Sequence, residues 1–240
     1  MSKLKEIVND TIAAVEQMKR DGVTHVEVSR QTVDELGQPP RVAPVAPPSA
    51  SPELLALEKE ALACQKCREL AGSRTNVVFG VGNPQAELMF VGEAPGRDED
   101  LEGEPFVGRA GELLTKIIQA MGFTRHEIYI ANVLKCRPPE NRVPLPDEVT
   151  NCRPFLLKQI EIIQPKVIVV LGATAMKALL DVETPISKMR GKWYLFHDIP
   201  LMPTFHPAYL LRNPPNAKKE VWQDMQAVVA KLGRKIPKTK

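Results

Sequence analysis

Cysteine is scarce in this chain. Only Cys64, Cys67, Cys136 and Cys152 occur among 240 residues. Disulfides are rare in cytoplasmic proteins, so four thiols there raise metal ligation first. Long apolar runs are missing too, and none approaches the roughly 18 residues that a membrane span requires. The N-terminus scatters Lys3, Lys5 and Glu6 among apolar residues without a compact apolar segment. No secretory signal is read there, and a cytoplasmic location is expected. A strong charge of one sign is also lacking. The net charge of +3 is weak evidence for any partner, because nucleic-acid binders are often far more basic. What is present, 43% apolar and 25% charged residues, is ordinary for a soluble globular chain.

Three regions follow from patterning. Leu4, Ile7, Val8, Ile12, Val15 and Met18 recur at helical spacing, and Gly22 is a plausible stop. Residues 1–37 are therefore read as an amphipathic helix with an extension. That helix is either solvated or a docking element for a protein partner. Residues 38–52 hold six prolines in fifteen positions, which favours an extended linker and builds no core. Residues 53–240 alternate apolar runs with helical stripes. Leu88–Val91, Ile128–Leu134 and Val167–Leu171 read as buried strands. Lys192–Phe196 and Ile199–Thr204 read as a strand pair around His197 and Asp198. Helices are expected around Leu113–Met121, over Phe155–Ile163, from Gly172 to Leu180 and over Ala217–Leu232. This order predicts an α/β fold: a three-layer α/β/α sandwich around a short, mostly parallel four-stranded sheet, with an N-terminal extension. Ligands bind beyond the carboxyl ends of such strands, which points to the loops after Val91, Ile130 and Thr204.

The cysteines form one tight pair, Cys64-Gln65-Lys66-Cys67, and one wide pair, Cys136 and Cys152. Four thiolates from separate segments can hold zinc or a [4Fe–4S] cluster, and spacing leaves both open. Four buried reduced thiols are the alternative. Among the loops, Gly92-Glu93-Ala94-Pro95-Gly96 is a tight turn whose glycines admit close backbone approach. Phe106 stands in a loop before a helix, where it can fill core space or stack on a planar base. Asn132 is a polar amide inside an apolar strand, so it needs hydrogen-bond partners. His206 follows the last strand and precedes Pro207, a setting in which histidine is more often structural than catalytic.

Taken together and in this order, these segments resemble the family 4, iron–sulfur-containing uracil-DNA glycosylases. The resemblance covers about residues 53–230. It rests on the four cysteines, on Gly92–Gly96, on Glu104-Pro105-Phe106-Val107-Gly108-Arg109-Ala110-Gly111, on Asn132 through Pro139, and on Phe205-His206-Pro207-Ala208-Tyr209-Leu210-Leu211-Arg212-Asn213. The resemblance implies a monofunctional DNA-repair glycosylase that flips deoxyuridine out of DNA, releases uracil and leaves an abasic site. It implies a [4Fe–4S] cluster on Cys64, Cys67, Cys136 and Cys152. It places Gly92, Glu93, Ala94, Pro95, Phe106, Asn132 and His206 around the base, with Asn132 on the uracil amide edge and Phe106 stacked on the ring. His206 would stabilise the departing anion. Better-known branches of the superfamily carry an aspartate where this chain has Ala94. Glu93 is thus the first candidate for placing the water, ahead of Asp98, Glu99 and Asp100. Leu210 or Leu211 would wedge into the DNA and Arg212 would meet a phosphate. DNA, single- or double-stranded, is the expected partner of a monomeric chain. The basic tail Lys231–Lys240 is either a nonspecific DNA contact or a solvated terminus.

Three other readings remain at this level. One is a non-catalytic DNA-binding module related to phage polymerase domains. A second is a branch that traps the DNA sugar covalently, which carries a His-containing basic insert that residues 97–108 lack. The third is a zinc-bound structural protein.

Overall fold

The computed structural model describes residues 12–13, 15–23, 50–212 and 216–237. The chain divides into two units, residues 1–46 and 47–240. In the first, residues 12–13 and 15–20 are helical, and Ile12, Val15 and Met18 are exposed. The remainder of the expected N-terminal helix and nearly all of the Pro-rich segment lie outside the described residues.

The second unit opens with α1 (Pro52–Leu62). Ser51 caps it by accepting the Leu54 N–H at 3.2 Å, and Pro52 occupies the first turn, where its missing N–H costs nothing. Next come α2 (Arg68–Ser73), β1 (Val81–Gly82), β2 (Leu88–Gly92), α3 (Arg97–Glu102), α4 (Arg109–Ala120) and β3 (Tyr129–Asn132). A single 3₁₀ turn at Pro139–Asn141 leads into α5 (Pro146–Ile163), β4 (Val167–Leu171), α6 (Ala173–Leu180), α7 (Ile186–Met189), β5 (Tyr194–Phe196), β6 (Ile199–Thr204), α8 (Pro207–Arg212) and α9 (Asn216–Lys231). Helix α5 starts well before the expected Phe155 because Pro146 and Glu148 build its first turn. The Glu148 carboxylate accepts the Leu145 N–H at 2.8 Å.

The sheet order is β1-β3-β2-β4-β6-β5. The four central strands are parallel, as expected. Two short antiparallel edge strands, β1 and β5, extend the sheet to six. The β5–β6 hairpin turns on His197 and Asp198, with φ of 46° and 66°, the left-handed pair of a two-residue turn.

Alternation along the strands builds two cores. Met89, Val91, Ala131, Ile168 and Val170 face one side, packed under α1, α5 and α6. Leu88, Phe90, Ile130, Val167 and Val169 face the other, under α4 and α9. Burial on both faces is why these strands read as continuous apolar runs, each large side chain contributing about 1.5–3 kcal/mol. The result is the three-layer α/β/α arrangement. Among the described residues no helix is long and apolar enough to cross a membrane.

Strand β2 lies between β3 and β4, so the chain leaves it to one side and later returns on the other. That switch opens a crevice at the carboxyl ends of the strands.

A candidate base-binding cavity at the strand ends

A cavity of about 880 Å³ fills the crevice. It is lined by Glu93, Ala94 and Pro95 after β2, by Asn132 at the end of β3, by Gly172 and Ala173 after β4, and by Phe205 and His206 after β6. Phe106 reaches it from the loop before α4. The residues expected around a base therefore converge. Gly92 lies just behind the wall.

Gly92 is glycine for a steric reason. A Cβ there would stand 2.3 Å from Asn132 Oδ1 and 2.6 Å from Phe106 Cζ. Asn132 and Phe106 can approach each other only over a bare backbone. Asn132 is 1% exposed, and its Oδ1 is one of two buried side-chain polar atoms without a hydrogen-bond partner among the described residues. An unmet buried acceptor costs about 1–3 kcal/mol, so its retention at a cavity wall marks a place for a ligand donor.

Phe106 holds a left-handed backbone, with φ of 56°. The strain is fixed from both sides. Arg125 donates to the carbonyls of Pro105 at 2.8 Å and Phe106 at 3.2 Å. Glu99 accepts the N–H groups of Val107 and Gly108 at 3.1 Å, and that of Gly96 at 3.0 Å. Gly111 leaves room for the Phe106 carbonyl, which a Cβ would meet at 1.9 Å. The Phe106 and His206 rings lie 5.5 Å apart at 32°, forming two faces of the same recess.

His206 accepts the Ala208 N–H on Nδ1 at 3.1 Å. A neutral imidazole so engaged carries its proton on Nε2 and can donate from there. Burial, with the Arg212 charge adding to it, pushes His206 down to about 4. The ring is therefore neutral at pH 7. Gly172, at φ of 92°, lets the ring lie close, since a Cβ there would be 3.2 Å from the His206 Cβ. Behind β6 a buried ion pair secures the strand end. Arg190 pairs with Asp224 and donates to the Glu220 carbonyl at 2.7 Å, and Thr204 donates to Asp224 at 2.6 Å. Burial raises the Asp224 carboxyl, and the bonds from Thr204 and Arg190 oppose that rise.

The three acids after the first turn separate. Glu99 is occupied by the backbone bonds above. Asp100 accepts from the Thr75 and Asn76 N–H groups at 2.9 and 3.3 Å. Both hold scaffold; Glu99 still borders the cavity beside exposed Asp98, but its carboxylate is taken up by those backbone bonds. Glu93 receives a hydrogen bond from the Thr174 hydroxyl. Thr174, and the whole loop after β4, were not among the expected site segments. Asn141 was missed as well. It lines the cavity, has φ of 56°, and accepts from Arg137 Nε at 2.7 Å.

At the rim, the leucine pair resolves into two environments. Leu210 is 3% exposed and packs inside the core under α4 and α9, so it cannot reach DNA. Leu211 is 43% exposed, and Arg212 lines the cavity mouth. Asn213 lies outside the described residues.

The four cysteines gather at one end of the α1–α5 core. Cys64 and Cys67 flank the turn between α1 and α2, Cys136 follows β3, and Cys152 belongs to α5. Burial raises Cys67, which also feels Cys136 and Cys64. Burial likewise raises Cys136 and pushes Cys152 up to about 11. Three of the sulfurs accept N–H donors: Cys136 from Arg74 at 3.0 Å, Cys152 from the Lys135 main chain at 3.2 Å, and Cys67 from Asn151 at 3.7 Å. Among the described residues no group of three or more His, Cys, Asp or Glu side chains could hold a single metal ion. Convergence of four thiols, with N–H donors on the sulfurs, fits a thiolate-ligated group.

A doubly wound sheet whose strand-end crevice brings together an amide, an aromatic ring and an imidazole has the features of a site for a planar, hydrogen-bonding ligand. Residues 79–226 match the model of the uracil DNA glycosylase superfamily. The chain is 46% identical over 187 residues to a type-4 uracil-DNA glycosylase of Archaeoglobus fulgidus, covering 75% of this chain and 93% of that one. It is 50% identical over 162 residues to one of Thermotoga maritima, covering 66% and 83% respectively. It is 46% identical over 181 residues to one of Sulfurisphaera tokodaii, covering 72% and 81%. This chain belongs to the type-4 uracil-DNA glycosylase family.

Proposed function

We propose that this chain is a DNA-repair hydrolase that flips deoxyuridine out of single- or double-stranded DNA and hydrolyses its N-glycosidic bond. Uracil is released and an abasic site remains. The observation that carries the reading is the buried, unpartnered Asn132 Oδ1 at the wall of a cavity shared with Phe106 and His206.

A base inside a duplex is out of reach, so the nucleotide must swing into the cavity. There Asn132 accepts the ring N3–H with its oxygen and donates to O4 with its nitrogen. Cytosine offers an acceptor and an amino group at those positions, which reverses both bonds. Phe106 covers one ring face. As the glycosidic bond breaks, the sugar becomes oxocarbenium-like and negative charge spreads over uracil. The neutral His206 donates its Nε2–H to a uracil carbonyl where that charge collects. Its pre-set tautomer means that no proton need be gained first. Glu93, held by Thr174, places the water that attacks the sugar. Leu211 fills the gap left in the stack and Arg212 meets a phosphate.

Cys64, Cys67, Cys136 and Cys152 hold a [4Fe–4S] cluster in this reading, tying α1, α5 and the loop after β3 together. When bound, it supplies four iron–thiolate cross-links between those segments, with no part in bond cleavage. The chain acts as a monomer in the cytoplasm, with residues 53–240 as the glycosylase domain.

The test is single-turnover excision from uracil-containing oligonucleotides by anaerobically purified protein. The unaltered chain is expected to release uracil, and Asn132→Ala and His206→Ala to lose most of that rate. Wild-type rates in both variants refute the site. DNA binding without excision by the unaltered protein would favour a non-catalytic module.

A further inference from the structure

Lys135 is 1% exposed, the only buried lysine among the described residues. An ammonium taken out of water must be repaid by hydrogen bonds and by opposite charge. Its Nζ donates to the Asn132 carbonyl at 2.9 Å and to Gln159 Oε1 at 2.6 Å. It also lies 5.7 Å from the centre of the Phe79 ring. Gln159 is fixed in turn, donating to the Phe79 carbonyl at 3.0 Å and to the Tyr129 hydroxyl at 3.2 Å. Both acceptors of the ammonium are neutral. Among the described residues no carboxylate forms an ion pair with it.

The counter-charge lies along the chain. Cys136 is the next residue, and the Lys135 main-chain N–H bonds the Cys152 sulfur. With the cluster of the proposed function bound, these two sulfurs would be thiolates and would supply the negative charge that a buried ammonium needs.

The other end of the side chain meets a different need. Strand β1 covers β3 only as far as Ile130. Beyond it the Asn132 carbonyl has no strand neighbour on that side, and the Lys135 ammonium takes its place. One residue therefore touches a cysteine sulfur with its backbone and the Asn132 peptide with its side chain.

We propose that Lys135 is a positioning residue that couples the cysteine centre to the uracil-reading amide of Asn132. The inference rests on the reading of Asn132 given above. Lys135 holds the Asn132 peptide in register over Gly92, and its bonds to Gln159 and to the Cys152 sulfur hold Lys135 in place.

The test uses the cluster-loaded full chain. Lys135→Met keeps length and removes charge and donor. It leaves the Asn132 carbonyl without its donor, so competition by free uracil is expected to weaken by about tenfold, with kcat falling alongside. Loss of a cation beside the cluster is expected to shift the reduction potential to more negative values, which a purely structural role would not do. Gln159→Glu is the second variant. It retains the acceptor for the ammonium and adds one negative charge, so the potential is expected to move the same way.

Lys135→Met with unchanged uracil competition and unchanged potential overturns the inference. If that variant fails to fold or load, an unchanged potential in Gln159→Glu overturns it. Failure of the underlying reading is distinct, because then Asn132→Ala itself would bind free uracil as well as the unaltered chain.

Discussion

Gly92→Ala adds one methyl group at the point where the site is tightest. The new carbon would stand 2.3 Å from Asn132 Oδ1 and 2.6 and 2.7 Å from Phe106 Cζ and Cε2. Ordinary contact begins near 3.4 Å. Something must retreat by roughly 1 Å, and displacement on that scale costs about a hundredfold in rate when it falls on catalytic groups. The backbone itself permits alanine, since Gly92 has no left-handed φ. The stability cost is that of overpacking, about 1–3 kcal/mol. For a chain of this size that corresponds to about 2–12 °C in Tm. Single-turnover excision and thermal unfolding measure the two effects separately. Gly72→Ala is the control, because no atom lies within 4 Å of the added carbon and its helix favours alanine. Excision by Gly92→Ala at the rate of the unaltered chain would refute the claim that Asn132 and Phe106 meet over this glycine to form the base site.

Other outcomes follow from the same geometry. Because His206 is held down to about 4, below the usual imidazole value, the native chain binds fewer protons than the unfolded one between about pH 4 and 6.5. This contribution to stability is present above pH 6.5 and is lost as pH falls through 4. Proton NMR of His206 should show its titration near the lower value, and a midpoint near 6.5 would contradict the neutral donor. Thr174→Val frees the Glu93 carboxylate and should lower kcat by about fivefold, the worth of one such hydrogen bond; an unchanged kcat removes Thr174 from the site. Arg212→Ala should flatten the plot of log K for DNA against log salt by about 0.9, the share of one phosphate contact. Arg190→Met leaves Asp224 buried and unpaired, which should cost about 3–5 kcal/mol in unfolding experiments.

The central strands were legible in the sequence because burial on both faces leaves no polar residue to break an apolar run. Leu88–Val91 and Val167–Leu171 carry that signature. The edge strands were not equally legible. Val81–Gly82 is too short to show any period, and its pairing with β3 is a tertiary fact. Asn132 was legible as a lone amide in an apolar strand, where physical chemistry demands an explanation. Thr174 looked like an ordinary residue at a helix start, and only the juxtaposition of β2 and β4 brings it to Glu93. The acids of α3 show the same limit. Asp98, Glu99 and Asp100 are equivalent along the chain, yet the fold spends the carboxylates of Glu99 and Asp100 on backbone N–H groups and leaves that of Asp98 uncommitted to them at the cavity. Leu210 and Leu211 likewise differ only in which side of α8 the core takes. A Gly after the apolar run ending at Leu171 and a Lys between an apolar run and Cys136 were the available signals for what was missed, and each has many innocuous causes.

The central claim is that Asn132, Phe106 and His206 form one receptacle for an extruded uracil. A crystal structure of the chain soaked with free uracil tests it most directly. The ring is expected flat against Phe106, with its N3–H on Asn132 Oδ1 and a carbonyl on His206 Nε2. Uracil bound elsewhere, or bound there with Asn132 Oδ1 still unpartnered, would contradict the account.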